Sequence, residues 1–191
     1  LSNPIMKTWL LRFSSFAILH SSFSAQPNVL LILADDLGYG DVRCYNADSK
    51  VPTPNIDKLA SEGMRFTDAH SPATVCTPSR YSLMTGQMAF RVPNGGTVFQ
   101  GTGGPSLISP GRLTLPGMLK KQGYATAAVG KWHIGLTFRD QAGEAIHSGE
   151  RAAVQRIDYS RRIEGGPLDH GFDKFFGTAC CPTTEWLYAF I

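Results

Sequence analysis

The sequence predicts an α/β layered fold with a mostly parallel central sheet, and three observations support this. The first is an uninterrupted apolar run at residues 28–34, whose short length and branched side chains are typical of a strand buried on both faces. The second is the alternation of strand-like and helix-like segments along the chain. The third is the presence of 20 glycines and 12 prolines in 191 residues, which favours a loop-rich protein over a helical bundle.

The elements after the first strand are bounded by recognisable start and stop signals. Threonine before proline is typical of a helix start, because threonine caps free N–H groups and proline fits the first turn. Glycine ends a helix because it readily adopts the left-handed conformation that follows the last turn. These signals predict, in chain order, a helix from Thr53 to Gly63, a weaker strand at 64–69, helices from Thr77 to Gly86 and from Thr114 to Gly123, and a strand at 124–129.

Two long segments lack periodicity and are predicted to be irregular. Residues 87–111 are rich in glycine and proline, and a loop of that length in a compact domain is usually functional or flexible. Residues 137–165 are polar, and we expect Arg161 and Arg162 within them to be solvated.

Composition excludes several classes of protein. A net charge of +3 is too small to indicate a nucleic acid or an anionic membrane as partner. With 42% hydrophobic and 17% charged residues, the chain is not disordered. Four cysteines are too few for a disulfide scaffold. No stretch reaches the roughly 18 uninterrupted apolar residues of a transmembrane span.

Residues 1–25 predict an upstream leader followed by a secretory signal peptide. A basic start at Met6-Lys7 precedes an apolar-rich stretch, and the segment closes on the small residue Ala25. Arg12 interrupts the apolar stretch, so a frayed amphipathic helix is the alternative. The signal peptide predicts a secreted or periplasmic protein whose remaining domain spans residues 26–191.

Asp35 and Asp36 come directly after the first predicted strand and beside a glycine turn. Ligands gather at the carboxyl ends of the strands in an open parallel sheet. Adjacent carboxylates there would supply the hard oxygen ligands that Ca²⁺ or Mg²⁺ prefers. The alternative is that one aspartate caps a turn and the other faces solvent.

Cys76 comes just before the helix that Pro78 is expected to begin, and Arg80 follows four residues later. The positive end of the helix dipole and the guanidinium would stabilise negative charge near Cys76. They would either activate a thiolate or hold an anionic substrate such as sulfate or phosphate. The alternative is a half-buried structural cysteine.

Lys131 and His133 lie between Gly130 and Gly135, directly after the predicted strand at 124–129. The glycines allow the backbone to turn sharply and bring both side chains close to a ligand. We expect them at the same sheet edge as the aspartate pair. The alternative is a solvated lysine and a structural histidine.

These residues fall in segments that resemble the sulfatase family. Cys76-Thr77-Pro78-Ser79-Arg80, with Thr85-Gly86 beyond it, resembles the sulfatase signature, and residues 123–133 resemble the second sulfatase signature. Further segments that are similar to recurrent sulfatase segments lie at 28–40, 54–60 and 171–177. The resemblance covers residues 27–191 and implies an alkaline-phosphatase-like fold, incomplete over this length.

The resemblance implies hydrolysis of an aryl sulfate or a sulfated carbohydrate. Cys76 would be oxidised to formylglycine by a formylglycine-generating or equivalent maturing enzyme. Pro78 and Arg80 would guide this modification. One hydroxyl of the hydrated aldehyde would attack sulfur, and the other would allow the covalent sulfate to leave. Asp35, Asp36 and residue 76 would hold a divalent ion, usually Ca²⁺, with Mg²⁺ as the alternative.

The resemblance also implies how the remaining site residues would act. Arg80 and Lys131 would stabilise the transition state with fixed positive charge. His133 would hydrogen-bond a formylglycine hydroxyl and help the sulfated intermediate to collapse.

The sequence departs from the sulfatase pattern in its length. Sulfatases are normally more than twice as long, and their later part gives an Asp and an Asn for the metal and a further His and Lys. The aromatic end at residues 186–191 also indicates an N-terminal portion of a longer domain. We therefore expect the 191-residue chain alone to bind Ca²⁺ weakly and to be inactive.

Three other functions stay open on the sequence. A phosphonate or phosphodiester hydrolase on the same scaffold would share the cysteine-containing signature. A sulfated-glycan binder would keep Cys76 unmodified. A cysteine-thiolate hydrolase fits least, because no Cys–His–Asn arrangement is evident and the two aspartates would have no function in it.

Overall fold

A computed structural model describes residues 26–100, 104–148, 150–181 and 188–190. The chain divides into two units, Leu1–Leu37 and Gly38–Ile191. The predicted leader and signal peptide lie outside the described residues. No helix within the described ranges is long and apolar enough to cross a bilayer.

In the first unit, residues 26–37 form no helix or strand, so the strand predicted at 28–34 is wrong. Its apolar side chains are exposed, from 49% at Leu33 to 84% at Leu30. A strand of a parallel sheet needs neighbouring strands to accept and donate its backbone hydrogen bonds. The described part of the chain pairs no strand with this segment.

The described residues of the second unit form four α-helices, and three of these match the predicted helices. The helices are α1 (Pro54–Glu62), α2 (Cys76–Thr85), α3 (Leu115–Lys121) and α4 (Arg151–Val154). Thr114 caps α3 as predicted, because its side chain accepts a hydrogen bond from the Gly117 N–H. Gly86 ends α2 in the left-handed conformation, with φ of 64°.

The helix α2 begins earlier than its threonine-proline signal indicates. It begins at Cys76, after Val75, so the Thr77 side chain does not cap it. Thr77 is fully buried, and its hydroxyl instead accepts a hydrogen bond from the Phe99 N–H at 3.3 Å. The cysteine therefore belongs to the first turn of the helix.

The strands form a three-stranded sheet and a small hairpin. They are β1 (Ala127–Lys131), β2 (Phe138–Arg139), β3 (Ala145–Ile146), β4 (Lys174–Thr178) and β5 (Tyr188–Phe190). β1 pairs in parallel with β4, which pairs antiparallel with β5. The hairpin of β2 and β3 lies in the segment predicted to be irregular, so that prediction is wrong there.

The strand predicted at 64–69 is absent, because those residues form bends and coil. The strand predicted at 124–129 is present as β1, but it begins three residues later than expected. The late start of β1 has a physical reason in Thr126. Its N–H and hydroxyl both bond Asp173, at 2.9 Å and 3.1 Å, and this fixes the entry into both parallel strands.

Buried side chains between the sheet and the loops form one core. They are Tyr81, Ala89, Ile108, Trp132, Ile134, Leu136, Phe138, Ile146, Ile157, Phe175 and Ala179. Alternate residues 132–138 supply four of them, so the segment after β1 is anchored in the core. By contrast, Ile56 and Leu59, which share the apolar face of α1, are 43% and 68% exposed.

The acid sensitivity of the fold is predicted to depend on Asp173. The hydrogen bond from Lys120 and those from Thr126 lower the pKa of Asp173 from 3.8 to about 2. Because this pKa is lower in the folded than in the unfolded chain, the stabilisation is present above pH 3.8 and lost as the pH falls to about 2. We expect Asp173→Asn to lower the urea midpoint at neutral pH and to flatten its decline between those values.

The exposed Asp48→Asn variant is the matched control and should keep the wild-type pH dependence. An unchanged acid decline in Asp173→Asn would show that other carboxyl groups cause it.

Candidate active site

The candidate site lies where α2 begins and where β1 and β4 end. Lys131, the last residue of β1, places its Nζ 3.2 Å from Cys76 Sγ and 3.5 Å from Cys181 Sγ. His133 lies two residues beyond β1, and its Nδ1 is 3.8 Å from Cys181 Sγ. The ligand atoms of Cys76, His133 and Cys181 all lie within 4.8 Å of one another.

The parallel pairing of β1 with β4 explains why these side chains meet. Lys131 is in register with Thr178, so both strands end at the same edge of the sheet. Backbone hydrogen bonds continue beyond the strands, from the Trp132 N–H to the Thr178 carbonyl at 3.0 Å and from the His133 N–H to the Ala179 carbonyl at 2.9 Å. The pairing therefore carries His133 and Cys181 together.

Glycine is required at the centre of this pairing. A Cβ on Gly177 would lie 1.7 Å from the carbonyl oxygen of Gly130, its partner across the sheet. Gly130 itself has φ of 109°, which side-chain-bearing residues rarely adopt. The two glycines thus allow the two strands to pair just before the site.

The imidazole of His133 is held in one orientation. The residue is fully buried and has φ of 59°, an uncommon value for a residue with a side chain. Its Nε2 lies 2.7 Å from the Phe99 carbonyl oxygen. Since a carbonyl only accepts hydrogen bonds, Nε2 carries the proton, and the Nδ1 of a neutral ring keeps its lone pair on the side of Cys181.

Arg80 connects the helix to the end of β1. It lies one turn after Cys76 in α2, and its guanidinium donates a hydrogen bond to the backbone carbonyl of Lys131. A fixed guanidinium and an ammonium group therefore stand beside a helix start, where the helix dipole is also positive. The arrangement favours negative charge at residue 76.

The structure brings together four of the six predicted site residues, namely Cys76, Arg80, Lys131 and His133. Asp35 and Asp36 belong to the first of the two units of the chain. Both aspartates are exposed, and Asp36 has φ of 57°, typical of a residue in a turn.

The donor set at the predicted calcium site fits a hard cation only in part. The carboxylates of Asp35 and Asp36 are the oxygen ligands that Ca²⁺ prefers. The thiol of Cys76 is a soft ligand that suits other metals. Residue 76 would fit such an ion only once its sulfur had been replaced by oxygen.

Cys181 and Phe99 are residues of the site that the sequence analysis missed. The sequence analysis counted Cys181 only among four cysteines too few for a disulfide scaffold, and all four are reduced thiols in the structure. Cys181 lies three residues after β4, the strand parallel to β1, and the sequence analysis did not predict that strand. Phe99 contributes through its backbone carbonyl, which no side-chain pattern reveals.

A cavity of about 290 Å³ opens in the segment 87–111, which was predicted to be a functional or flexible loop. Its lining residues are Val92, Pro93, Asn94, Thr97, Phe99, Pro105, Ser106, Leu107 and Ser109. Phe99 belongs both to this cavity and to the contact that orients His133. The cavity therefore adjoins the candidate site.

The buried His170 contacts Ser106 in the loop that lines the cavity. Ser106 Oγ lies 3.0 Å from His170 Nε2, and the His170 ring stacks on Trp132 with 6.1 Å between ring centroids. Burial lowers the pKa of His170. The residue is thus favoured as a neutral structural group.

Comparison with known proteins identifies the family. Residues 27–187 match the family model for sulfatases. The chain is 38% identical to human arylsulfatase D over 156 residues, which cover 80% of the chain and 23% of that relative. It is 47% identical to N-acetylgalactosamine-6-O-sulfatase of Bacteroides thetaiotaomicron over 114 residues, covering 59% of the chain and 22% of that relative.

Solved structures agree with this comparison. A chain solved in work on glycosaminoglycan metabolism by Bacteroides thetaiotaomicron matches with a TM-score of 0.66 and 37% identity, over 82% of this chain and 29% of that one. The chain thus spans less than a third of the length of these relatives. These matches confirm the predicted alkaline-phosphatase-like α/β fold. The fold is partial here, because the described residues contain only three strands of its central sheet. Together with the match over residues 27–187, this establishes that the chain belongs to the sulfatase family.

Proposed function

We propose that this protein hydrolyses sulfate esters, with residue 76 as nucleophile after oxidation of Cys76 to formylglycine. The observation that carries the proposal is the position of Cys76 in the first turn of α2, 3.2 Å from the Lys131 ammonium and one turn before Arg80. Sulfate monoesters are anions, and this arrangement concentrates positive charge where the sulfuryl group would react. Membership of the sulfatase family supports the same reaction.

The proposed reaction has two steps. A hydroxyl of the hydrated aldehyde loses its proton and attacks sulfur, and the sulfur–oxygen bond to the alcohol breaks, so residue 76 carries the sulfate. The second hydroxyl then loses its proton, the carbonyl re-forms and sulfate leaves. Water adds to the aldehyde and restores the hydrate.

Lys131 and Arg80 supply the fixed charge for both steps. Lys131 Nζ is within hydrogen-bond distance of residue 76, and Arg80 holds the backbone of Lys131 in place. His133 keeps Nδ1 as a hydrogen-bond acceptor, because its Nε2 proton is bonded to Phe99. It is suited to accept the proton of a hydroxyl on residue 76.

The proposed metal ligands are Asp35, Asp36 and the hydrated form of residue 76. The ion, Ca²⁺ or alternatively Mg²⁺, would supply Lewis-acid stabilisation of charge on the sulfuryl oxygens. Further ligands and catalytic groups are expected from outside this sequence, which covers less than a third of its relatives. We therefore expect the 191-residue chain alone to be inactive.

The substrate is proposed to be an aryl sulfate or a sulfated carbohydrate, with the cavity beside Phe99 receiving part of its organic group. Conversion of Cys76 requires a maturing enzyme as partner. The predicted signal peptide supports a secreted or periplasmic location.

The proposed reaction is tested by comparing esters of the same alcohol with the whole protein. We expect turnover of an aryl sulfate to exceed that of an aryl phosphodiester and of the matching phosphonate ester. Faster hydrolysis of either phosphorus ester would instead identify a phosphonate or phosphodiester hydrolase. Binding of a sulfated glycan without turnover of any ester would identify a non-catalytic binder.

A further inference from the structure

We propose that the chain in its unmodified thiol form binds a zinc-class divalent ion through Cys76, Cys181 and His133. This goes beyond the proposed hydrolysis, because it concerns the state of the chain before residue 76 is oxidised. Two sulfurs and an imidazole nitrogen, all within 4.8 Å of one another, converge from three separate segments. These ligand types select zinc and related soft or borderline ions over calcium.

The spacing of these atoms suits a tetrahedral ion. Bonds of about 2.3 Å to sulfur and about 2.0–2.1 Å to nitrogen place the ligand atoms of a tetrahedral zinc site roughly 3.5–3.8 Å apart. The distance from Cys181 Sγ to His133 Nδ1 is 3.8 Å, at the upper end of that range. The other two pairs of ligand atoms are at most 4.8 Å apart. Each of these distances would therefore have to shorten by less than about 1.5 Å to reach the spacing of a tetrahedral zinc site.

His133 already has the arrangement of a metal-binding histidine. Ligating histidines commonly donate their other ring N–H to a carbonyl or carboxylate, which fixes the tautomer and the ring orientation. The Phe99 carbonyl accepts that hydrogen bond at 2.7 Å and leaves Nδ1 as the ligand atom. The residue is fully buried, so the packing around the ring also restricts its rotation.

Lys131 complements the two sulfurs. Its ammonium lies 3.2 Å and 3.5 Å from the sulfurs of Cys76 and Cys181, within donor distance of both. Hydrogen bonds from a cationic donor stabilise thiolates, the form in which cysteine binds metal. Each thiol that ligates the ion releases its proton to solvent.

Zinc binding and oxidation of Cys76 exclude each other. Conversion to formylglycine removes one of the three ligands, so the converted chain should bind zinc more weakly. The bound ion would in turn shield the Cys76 thiol from electrophiles and oxidants. The site therefore has two exclusive states, a thiol form that binds zinc and an oxidised form that reacts with sulfate esters.

Metal titration of the 191-residue chain tests this proposal, with Cys76 verified as a thiol by mass. We expect one Zn²⁺ per chain by competition with a chromophoric chelator, and one Co²⁺ with thiolate-to-cobalt charge-transfer and tetrahedral ligand-field absorption. Losing a residue that only hydrogen-bonds a ligand can weaken metal binding by about 100-fold. Cys181→Ser removes a ligand itself, so it should weaken zinc binding by about 100-fold or more. The control Cys44→Ser, which alters a cysteine outside the cluster, should bind zinc as the wild type does.

A second measurement covers the case in which Cys181→Ser does not fold. Zn²⁺ should slow alkylation of Cys76 and Cys181 in the wild-type chain and leave that of Cys44 unchanged. Absence of a 1:1 complex, equal zinc affinity in Cys181→Ser, or equal protection of Cys44 would each overturn the proposal. The sulfate-ester reaction is assayed on the converted whole protein, so failure of either proposal is seen independently of the other.

Discussion

Replacing Cys76 by serine is expected to stop turnover of sulfate esters and to leave residue 76 covalently sulfated. Serine has one hydroxyl, so its oxygen can attack sulfur and displace the alcohol. It has no second hydroxyl from which a carbonyl can form, so the sulfate does not leave by the proposed route. We expect a single slow release of alcohol per chain, followed by a loss of steady-state turnover of about 10³-fold or more.

The measurement is alcohol release by the whole protein together with the intact mass of the Cys76→Ser variant. The mass should increase by one sulfuryl group after exposure to an aryl sulfate. Cys44→Ser is the matched control and should turn over normally, because Cys44 lies outside the cluster at the site. Normal steady-state turnover by Cys76→Ser would contradict the two-hydroxyl mechanism.

Replacing Gly177 by alanine is expected to unfold the β1–β4 edge of the sheet and to disperse the site. The added Cβ would lie 1.7 Å from the Gly130 carbonyl oxygen and 2.7 Å from its carbon, both backbone atoms that cannot rotate away. Separating the strands would disrupt the parallel register that ends at Lys131 and Thr178. We expect the free energy of unfolding to fall by about 3 kcal/mol or more, the upper end of overpacking effects.

Gly96→Ala provides the control for Gly177→Ala in urea unfolding. A Cβ on Gly96 meets no atom within 4 Å, so we expect a change within about 0.5 kcal/mol. Equal midpoints for the two alanine variants would show that the contact between the two strands at Gly130 and Gly177 does not limit stability.

Local signals in the sequence predicted elements whose boundaries depend on local chemistry. Thr114 caps α3 through its own side chain, and Gly86 ends α2 in a left-handed conformation. The Thr77 signal misplaced the start of α2 by two residues, and the Thr77 side chain bonds the Phe99 N–H across the fold instead of capping the helix. A capping pattern cannot reveal that a distant partner competes for the hydroxyl.

The strand at 28–34 shows the limit of hydrophobic pattern. An apolar run specifies that a segment can be buried, but a strand also needs partners for its backbone hydrogen bonds. The described residues supply no such pairing for this run. By contrast, the strand at 124–129 is present as β1, because β4 pairs with it along its full length.

The candidate site was predictable where motif and topology coincide. Lys131 and His133 follow a strand, and Cys76 marks a helix start, so placing them together required only parallel pairing at one edge. Cys181 was missed because β4 was not predicted as a strand. Its pairing with β1, which brings Cys181 close to His133, was therefore unknown. The orientation of His133 depends on a backbone carbonyl from a loop, and a sequence does not reveal such contacts.

The central claim is that residue 76 becomes formylglycine, and mass spectrometry of one tryptic peptide tests it most directly. The peptide runs from Phe66 to Arg80 and contains Cys76 as its only cysteine. From a host that contains the maturing enzyme, we predict a peptide that is lighter than the cysteine form and reacts with hydrazides. A peptide found only as the free thiol, from a host that converts a control sulfatase, would contradict the account.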